Sequence, residues 1–115
     1  MKAKKKYSAR VRVWVEEANG LFLGKGRVIL LENIGKTGSI TNAAKMLKMS
    51  YRQAWQMVKD MNDQANVPLV EKSLGGKGGG GAALTDAGKK AIKSFHGLEK
   101  KVTDLIVKES KKLTF

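Results

Sequence analysis

The sequence predicts a mainly helical α+β domain, and three observations carry that prediction. Apolar residues alternate over the first stretch of chain, as a half-buried strand requires, then recur at helical spacing from Val28 to Met61. Six glycines among the seven residues 75–81 interrupt the pattern. Beyond them the apolar residues return in a seven-residue rhythm, the mark of a helix that meets another helix. At 115 residues there is room for one domain and one core. We expect that domain over 7–115, behind a Lys-rich tail at 1–6 that has no periodicity.

The elements follow in order. Tyr7, Ala9, Val11, Val13 and Val15 fall on one face of a strand, with Ser8, Arg10, Arg12, Trp14 and Glu16 on the other. Asn19-Gly20 then signals a type I′ hairpin turn, which needs positive φ at both central residues. Leu21-Phe22-Leu23 is the return strand, giving an N-terminal β-hairpin over 7–23. Val28, Leu30, Leu31 and Ile34 mark a first helix over 25–37, closed by Gly35 and Gly38. Ser39 caps a second helix over 39–48, in which Ile40, Ala43, Ala44 and Leu47 form the apolar stripe. Ser50 and Gln53 have capping-box spacing at the start of a third, over 50–66. Its expected buried face is Tyr51, Ala54, Trp55, Val58 and Met61. Two short strands flank the glycines over 69–85. Thr85 or Asp86 then caps a long helix over 86–110, whose seam is Ala91, Phe95, Leu98, Val102 and Leu105.

Charge narrows the class of partner. Twenty-three Lys and Arg against ten Asp and Glu leave a formal net charge of +13, which points to polyanions. With no Cys and one His, a disulfide scaffold is excluded and a transition-metal site lacks ligands. We expect no metal and no cofactor. Glu16 and Glu17 point to opposite faces of a strand and form no acid–base pair. No nucleophile–base arrangement is visible, so an enzyme is not expected. Neither a signal peptide nor a membrane-spanning run is present, and a cytoplasmic protein without membrane association is the expectation.

The stretch from Gly38 to Trp55 carries the functional signal. Two helices joined by a turn of three to four residues, the first short and rich in Ala, describe a helix-turn-helix. Ala43 and Ala44 allow the helices to cross closely. Arg52, Gln53 and Gln56 lie off the apolar stripe of the second of these helices, with Lys59 a turn further on. In the major groove, Arg pairs bidentately with guanine and Gln with adenine. The helix N-terminus, with the Ser50 hydroxyl, is a seat for a phosphate. The competing reading is a plain helical hairpin with a solvated polar face.

The glycine run admits three readings. Gly76, Gly78 and Gly81 satisfy G-x-G-x-x-G, but so glycine-rich a run matches almost any glycine pattern, and a strand rather than a helix follows. A passive linker is the second reading. The third is a wing, whose bare backbone at Gly75, Gly76, Gly78, Gly79, Gly80 and Gly81 approaches a sugar-phosphate chain, with Lys72 and Lys77 supplying charge. Its place between two short strands, after the reading helix, favours the wing and so a winged helix-turn-helix.

Gly38-Ser39-Ile40, Ala43-Ala44-Lys45 and Met49-Ser50-Tyr51-Arg52-Gln53-Ala54-Trp55 together resemble the N-terminal domain of ModE-type molybdate-responsive regulators, a LysR-like winged helix. Met61-Asn62, Leu69-Val70-Glu71-Lys72, the glycine run and Leu84-Thr85 extend the resemblance over roughly residues 24–98. It implies a dimeric transcription regulator of double-stranded DNA, with the third helix in the major groove, the wing on the backbone and the last helix at the dimer interface. On matching positions it implies DNA contacts from Ser39, Thr41, Ser50, Tyr51, Arg52, Gln53, Gln56 and Lys77. Full regulators of that type continue into a molybdate-binding domain, whereas this sequence stops at Phe115. DNA binding is therefore expected, and molybdate binding is not.

The remaining residues have plainer readings. Trp55 is expected in the core and Trp14 against another element of the domain. Tyr51 is expected to pack its ring while its hydroxyl reaches a phosphate. Met46, Met49, Met57 and Met61 are expected as fillers of helix interfaces, and His96 as solvated. Two alternatives to a sequence-specific homodimeric regulator stand: a sequence-tolerant, nucleoid-type architectural DNA binder, and an RNA-binding protein. The second lacks the exposed sheet aromatics that single-strand readers use, Trp14 excepted.

Overall fold

A computed structural model describes residues 3–73 and 81–115. The chain folds as β1 (Val15–Glu17), β2 (Gly20–Leu23), α1 (Lys25–Thr37), α2 (Ile40–Met46), α3 (Tyr51–Gln64), β3 (Val70–Ser73), β4 (Gly81–Leu84) and α4 (Asp86–Ser110). β1 pairs antiparallel with β2, and β3 with β4. This is a winged helix-turn-helix: α2 and α3 cross through the buried Ala43, Ala44 and Ala54, and the β3–β4 pair follows α3.

The core is built on α1. Val28, Leu30, Leu31 and Ile34 are its centre, joined by Val58 and Met61 of α3, Leu69 and Val70 at β3, Ala82 of β4 and Phe95 of α4. Side-chain caps start the later helices: Ser39, Ser50 and Thr85 hydroxyls accept from the amides of Asn42, Gln53 and Gly88 at 3.1, 3.0 and 3.0 Å. The other half of the expected capping box, in which Gln53 Oε1 would accept from Ser50 N–H, does not form among the described residues. α1 ends at Gly38, whose φ of 68° is left-handed and suits a residue without Cβ. α4 leans so closely on β3 that a Cβ at Gly88 would overlap the Leu69 carbonyl oxygen.

The N-terminal region differs from the expected hairpin over 7–23. Only Val15–Glu17 pairs, because β2 is four residues long and leaves residues 7–14 no partner strand. That segment instead runs alongside α4 in the opposite direction. The Ala9 amide donates to Ser110 Oγ at 2.7 Å, and the rings of Tyr7 and Phe115 meet edge-on at 5.0 Å. The turn differs too. Glu17 pairs with Gly20, so Ala18 and Asn19 are the loop residues and neither has positive φ; the φ of 115° falls on Gly20. The type I′ turn is therefore not formed. Trp14 is exposed rather than packed away, its indole Nε1 donating to Glu16 Oε1 at 2.9 Å.

The helical expectations need four corrections. α2 stops at Met46 because Lys48 takes a left-handed φ of 55°, and Met46 is exposed rather than an interface filler. α3 ends at Gln64, where Ala65 turns extended. Trp55 and Tyr51 are not core residues: the buried stripe is Ala54, Val58 and Met61, and Trp55 lies about 100° round the helix from Ala54. Both aromatics are exposed. In α4 the expected seam divides. Phe95 is only 2 % exposed and belongs to this domain's own core, Ala91 and Val102 are half-buried, and Leu98 and Leu105 are exposed.

Candidate nucleic-acid interface

Backbone geometry sets out the face before any side chain is considered. The turn from α2 into α3 is closed by Met49 N–H on the Ala44 carbonyl at 3.0 Å, with left-handed Lys48 between. Ser50 then starts α3 with its hydroxyl accepting from Gln53 N–H. Because the hydroxyl accepts in that bond, its hydrogen stays available to donate to a phosphate. No acidic residue occupies the first turn of α2 or of α3. Both N-termini thus present unneutralised positive dipole ends.

Arg52, Gln53, Gln56 and Lys59 all lie on α3 away from the buried stripe. Their states differ. Arg52 and the Gln53 side chain have no hydrogen-bond or ionic partner among the described residues. Gln56 Nε2 donates to Asp60 Oδ1 at 2.8 Å, and Lys59 Nζ donates to Asp63 Oδ2 at 2.7 Å. The hydrogen bond to Asp63, and then its charge, hold the Lys59 ammonium above its ordinary pKa, so it stays cationic. An exposed pair of this kind is worth little to stability.

A cleft lies on one flank of this face, between the start of α2, α3 and the β3–β4 pair. Thr41, Tyr51, Trp55, Lys59, Lys72 and Gly81 border it. The structure thereby brings Thr41, Tyr51, Lys59 and Lys72 together, while Arg52, Gln53 and Gln56 stand outside the cleft on the same helix. Ser39 is half-buried at its cap. Lys72 is exposed on β3 opposite Ala82. Gly81 opens β4 opposite Ser73, and a Cβ there would overlap the Ser73 side chain. Lys77, Gly75, Gly76, Gly78, Gly79 and Gly80 lie outside the described residues.

Several residues that fix this geometry escaped the sequence reading. Asn62 locks the strand pair to α3: its Oδ1 accepts from Leu69 N–H at 2.8 Å and Val70 N–H at 3.2 Å, and its Nδ2 donates to the Val70 carbonyl at 3.0 Å. Arg27 donates to the Leu21 and Phe22 carbonyls and to Gln64 Oε1 at 2.7, 3.0 and 3.1 Å, and lies 3.8 Å from Asp60. Gln64 Nε2 adds a bond to the Leu21 carbonyl at 2.8 Å. Nothing in periodicity marks such residues, since their partners sit on other elements and are mostly backbone carbonyls and amides. Trp55 did leave a signal, one position off the centre of the buried stripe. His96 is exposed as expected, and bridges Glu32 at 3.5 Å and Glu99 at 3.4 Å. Among the described residues no His, Cys, Asp and Glu cluster could hold a metal ion, and no helix is long and apolar enough to cross a membrane.

Comparison with known proteins gives consistent matches. The model of the bacterial regulatory helix-turn-helix proteins, lysR family, matches residues 27–89. The molybdenum-pterin-binding protein MopB of Rhodobacter capsulatus is 43% identical over 99 residues, which is 86% of this chain and 37% of that protein. The transcriptional regulator ModE of Yersinia pestis is 45% identical over 75 residues, or 65% of this chain and 28% of that one. The chain thus spans about a third of the length of these curated relatives. A chain in the crystal structure of a CbnR_DBD–DNA complex superposes with a TM-score of 0.55 at 20% identity, covering 71% of this chain and 92% of that one.

Proposed function

The chain belongs to the bacterial regulatory helix-turn-helix proteins of the lysR family, and from that premise we propose that it is a transcription regulator that binds duplex DNA. The family is regulatory rather than enzymatic. α3 enters the major groove by its N-terminal half, and the β3–β4 pair with the glycines between serves as a wing on the backbone. The single observation that carries this reading is the exposed face of α3, where Arg52 and Gln53 stand without intramolecular partners among the described residues, beside an acid-free, Ser-capped helix start. Arg52 reads guanine bidentately, and Gln53 and Gln56 are adenine readers. Ser39, Thr41, Ser50, Tyr51, Lys59, Lys72 and Lys77 contact the backbone. The +13 net charge supplies the sequence-independent attraction. The site of action is the cytoplasm, where bacterial DNA lies.

A homodimer fits the same reading. Leu98 and Leu105 are exposed and seven residues apart on α4, two helical turns along one line of the helix. Two copies joined there bind half-sites spaced by about 34 Å, one turn of duplex. Sedimentation of the protein is expected to give a dimer that Leu98→Glu with Leu105→Glu converts to a folded monomer. A monomer at all concentrations would remove the α4 interface from the account.

The direct test of DNA reading is selection of bound duplexes from a random pool at a stated salt concentration. A recurring motif is expected, with log affinity falling steeply against log salt. Binding without any motif would turn the account to an architectural DNA binder. Preference for single-stranded RNA would overturn it.

A further inference from the structure

The exposed aromatic pair on α3 is the largest feature of the face that base reading leaves unused. Trp55 is 44% and Tyr51 53% exposed. They are four residues apart and lie on the flank of α3, bordering the cleft toward the strand pair. Trp55 Nε1 and Tyr51 Oη have no hydrogen-bond partner among the described residues. Exposing two large rings on the border of one cleft costs hydration free energy unless a partner covers them.

The cleft also has a balance of charge. Lys59 and Lys72 border it, and so do Asp63 and Glu71, with Lys59 already bonded to Asp63. A cleft neutral overall does not suit a bare phosphate. It suits an uncharged, partly apolar group whose charged neighbours lie just outside. The deoxyribose of a DNA strand is such a group. Its flanking phosphates then fall toward the acid-free N-terminus of α3, where a helix end favours anions.

We propose that Trp55 and Tyr51 form a sugar seat: one deoxyribose of the strand passing between α3 and the β3–β4 pair packs on their rings, with the Trp55 indole N–H and the Tyr51 hydroxyl donating to the adjoining backbone oxygens. This rests on the reading of the protein as a duplex-DNA binder. The seat contributes affinity without sequence preference, in contrast to Arg52. It also sets how deeply α3 sits in the groove.

The test uses the full chain with Trp14→Phe, which leaves Trp55 as the single tryptophan. Acrylamide quenching of Trp55 is measured free, with a selected duplex and with a random duplex at low salt, alongside gel retardation of both. Protection of Trp55 by both duplexes is expected. Trp55→Ala is expected to weaken both by the same factor, about tenfold, because the sugar then packs against water instead of a ring. The salt slope should stay unchanged because no charge is removed. Trp55→Phe should recover part of the affinity, and its melting temperature controls for folding.

Retardation of duplex with Trp55 left fully open to acrylamide overturns the seat and leaves DNA binding standing. Protection on the selected duplex alone, abolished by replacing single thymines with uracil, overturns it in favour of a base contact. No retardation of either duplex overturns the DNA-binding reading, and the seat with it.

Discussion

The two halves of α3 do different work. In the N-terminal half, Arg52 and Gln53 have nothing to bind within the described chain, and the helix starts on a serine with no acid nearby. In the C-terminal half every polar side chain from Lys59 to Gln64 is engaged. Lys59 and Asp63 hold each other, Asp60 meets Gln56 and Arg27, Asn62 holds β3, and Gln64 holds β2. One helix is thus turned outward at its start and inward at its end. A surface Lys or Arg is common. What sets Arg52 and Gln53 apart is their place, at a Ser-capped, acid-free helix start directly after the turn from α2.

That contrast predicts mutants that separate binding from folding. The largest effect on stability is expected from Asn62→Ala, which leaves the Leu69 and Val70 backbone groups without their side-chain partner and costs about 2–3 kcal/mol. Denaturant unfolding checks it, with Arg52→Ala as the control whose midpoint stays put. An unmoved midpoint for Asn62→Ala would remove the C-terminal half from its holding role.

Next in size is Lys48→Gly, at the turn between α2 and α3. A left-handed φ strains any residue with Cβ, so relief of up to about 1 kcal/mol of stability is expected, less the entropy that glycine adds to the unfolded chain. Thermal or denaturant unfolding reads it. A loss of stability would mean that the Lys48 side chain contributes packing the turn needs.

The smallest effect is expected from Asp63→Asn. Releasing Lys59 should raise affinity for every duplex slightly and steepen the salt slope by about one unit. The same change should return the Lys59 ammonium toward its ordinary titration, below its value in the unmodified protein. The pair is intact below the ordinary lysine pKa and is lost as pH rises through the higher folded value. Nitrogen-detected NMR of the Lys59 side chain reads both states.

How far these features were legible in the sequence depends on the kind of signal each one sends. The helices of the helix-turn-helix were legible because capping residues and buried stripes are local: Ser39, Ser50 and Thr85 each announce a helix one residue ahead. Arg52, Gln53, Gln56 and Lys59 were legible as surface residues because they fall off the stripe. The strand over 7–14 was misread because alternation describes a strand's faces and not its partner, and β2 is too short to supply one. Asn19-Gly20 suggested a turn but gave the wrong central residues, since Gly20 alone takes positive φ there. Phe95 kept heptad spacing while serving its own core, because one helix can present part of its seam to the domain and part outward. The anchoring roles of Asn62, Arg27 and Gln64 were silent because a side chain bonded to the backbone of another element leaves no pattern in composition.

Base reading by the N-terminal half of α3 stands or falls with Arg52, and Arg52→Ala is the sharpest probe of it. Affinity of Arg52→Ala is compared with the unmodified protein on a selected duplex and on a random one, at one stated salt concentration. A loss of about 1–3 kcal/mol is expected on the selected duplex, with relaxed preference at one guanine. On the random duplex only the modest weakening that follows from removing one positive charge is expected. An equal loss on both would make Arg52 a backbone contact and rule out base reading from that position.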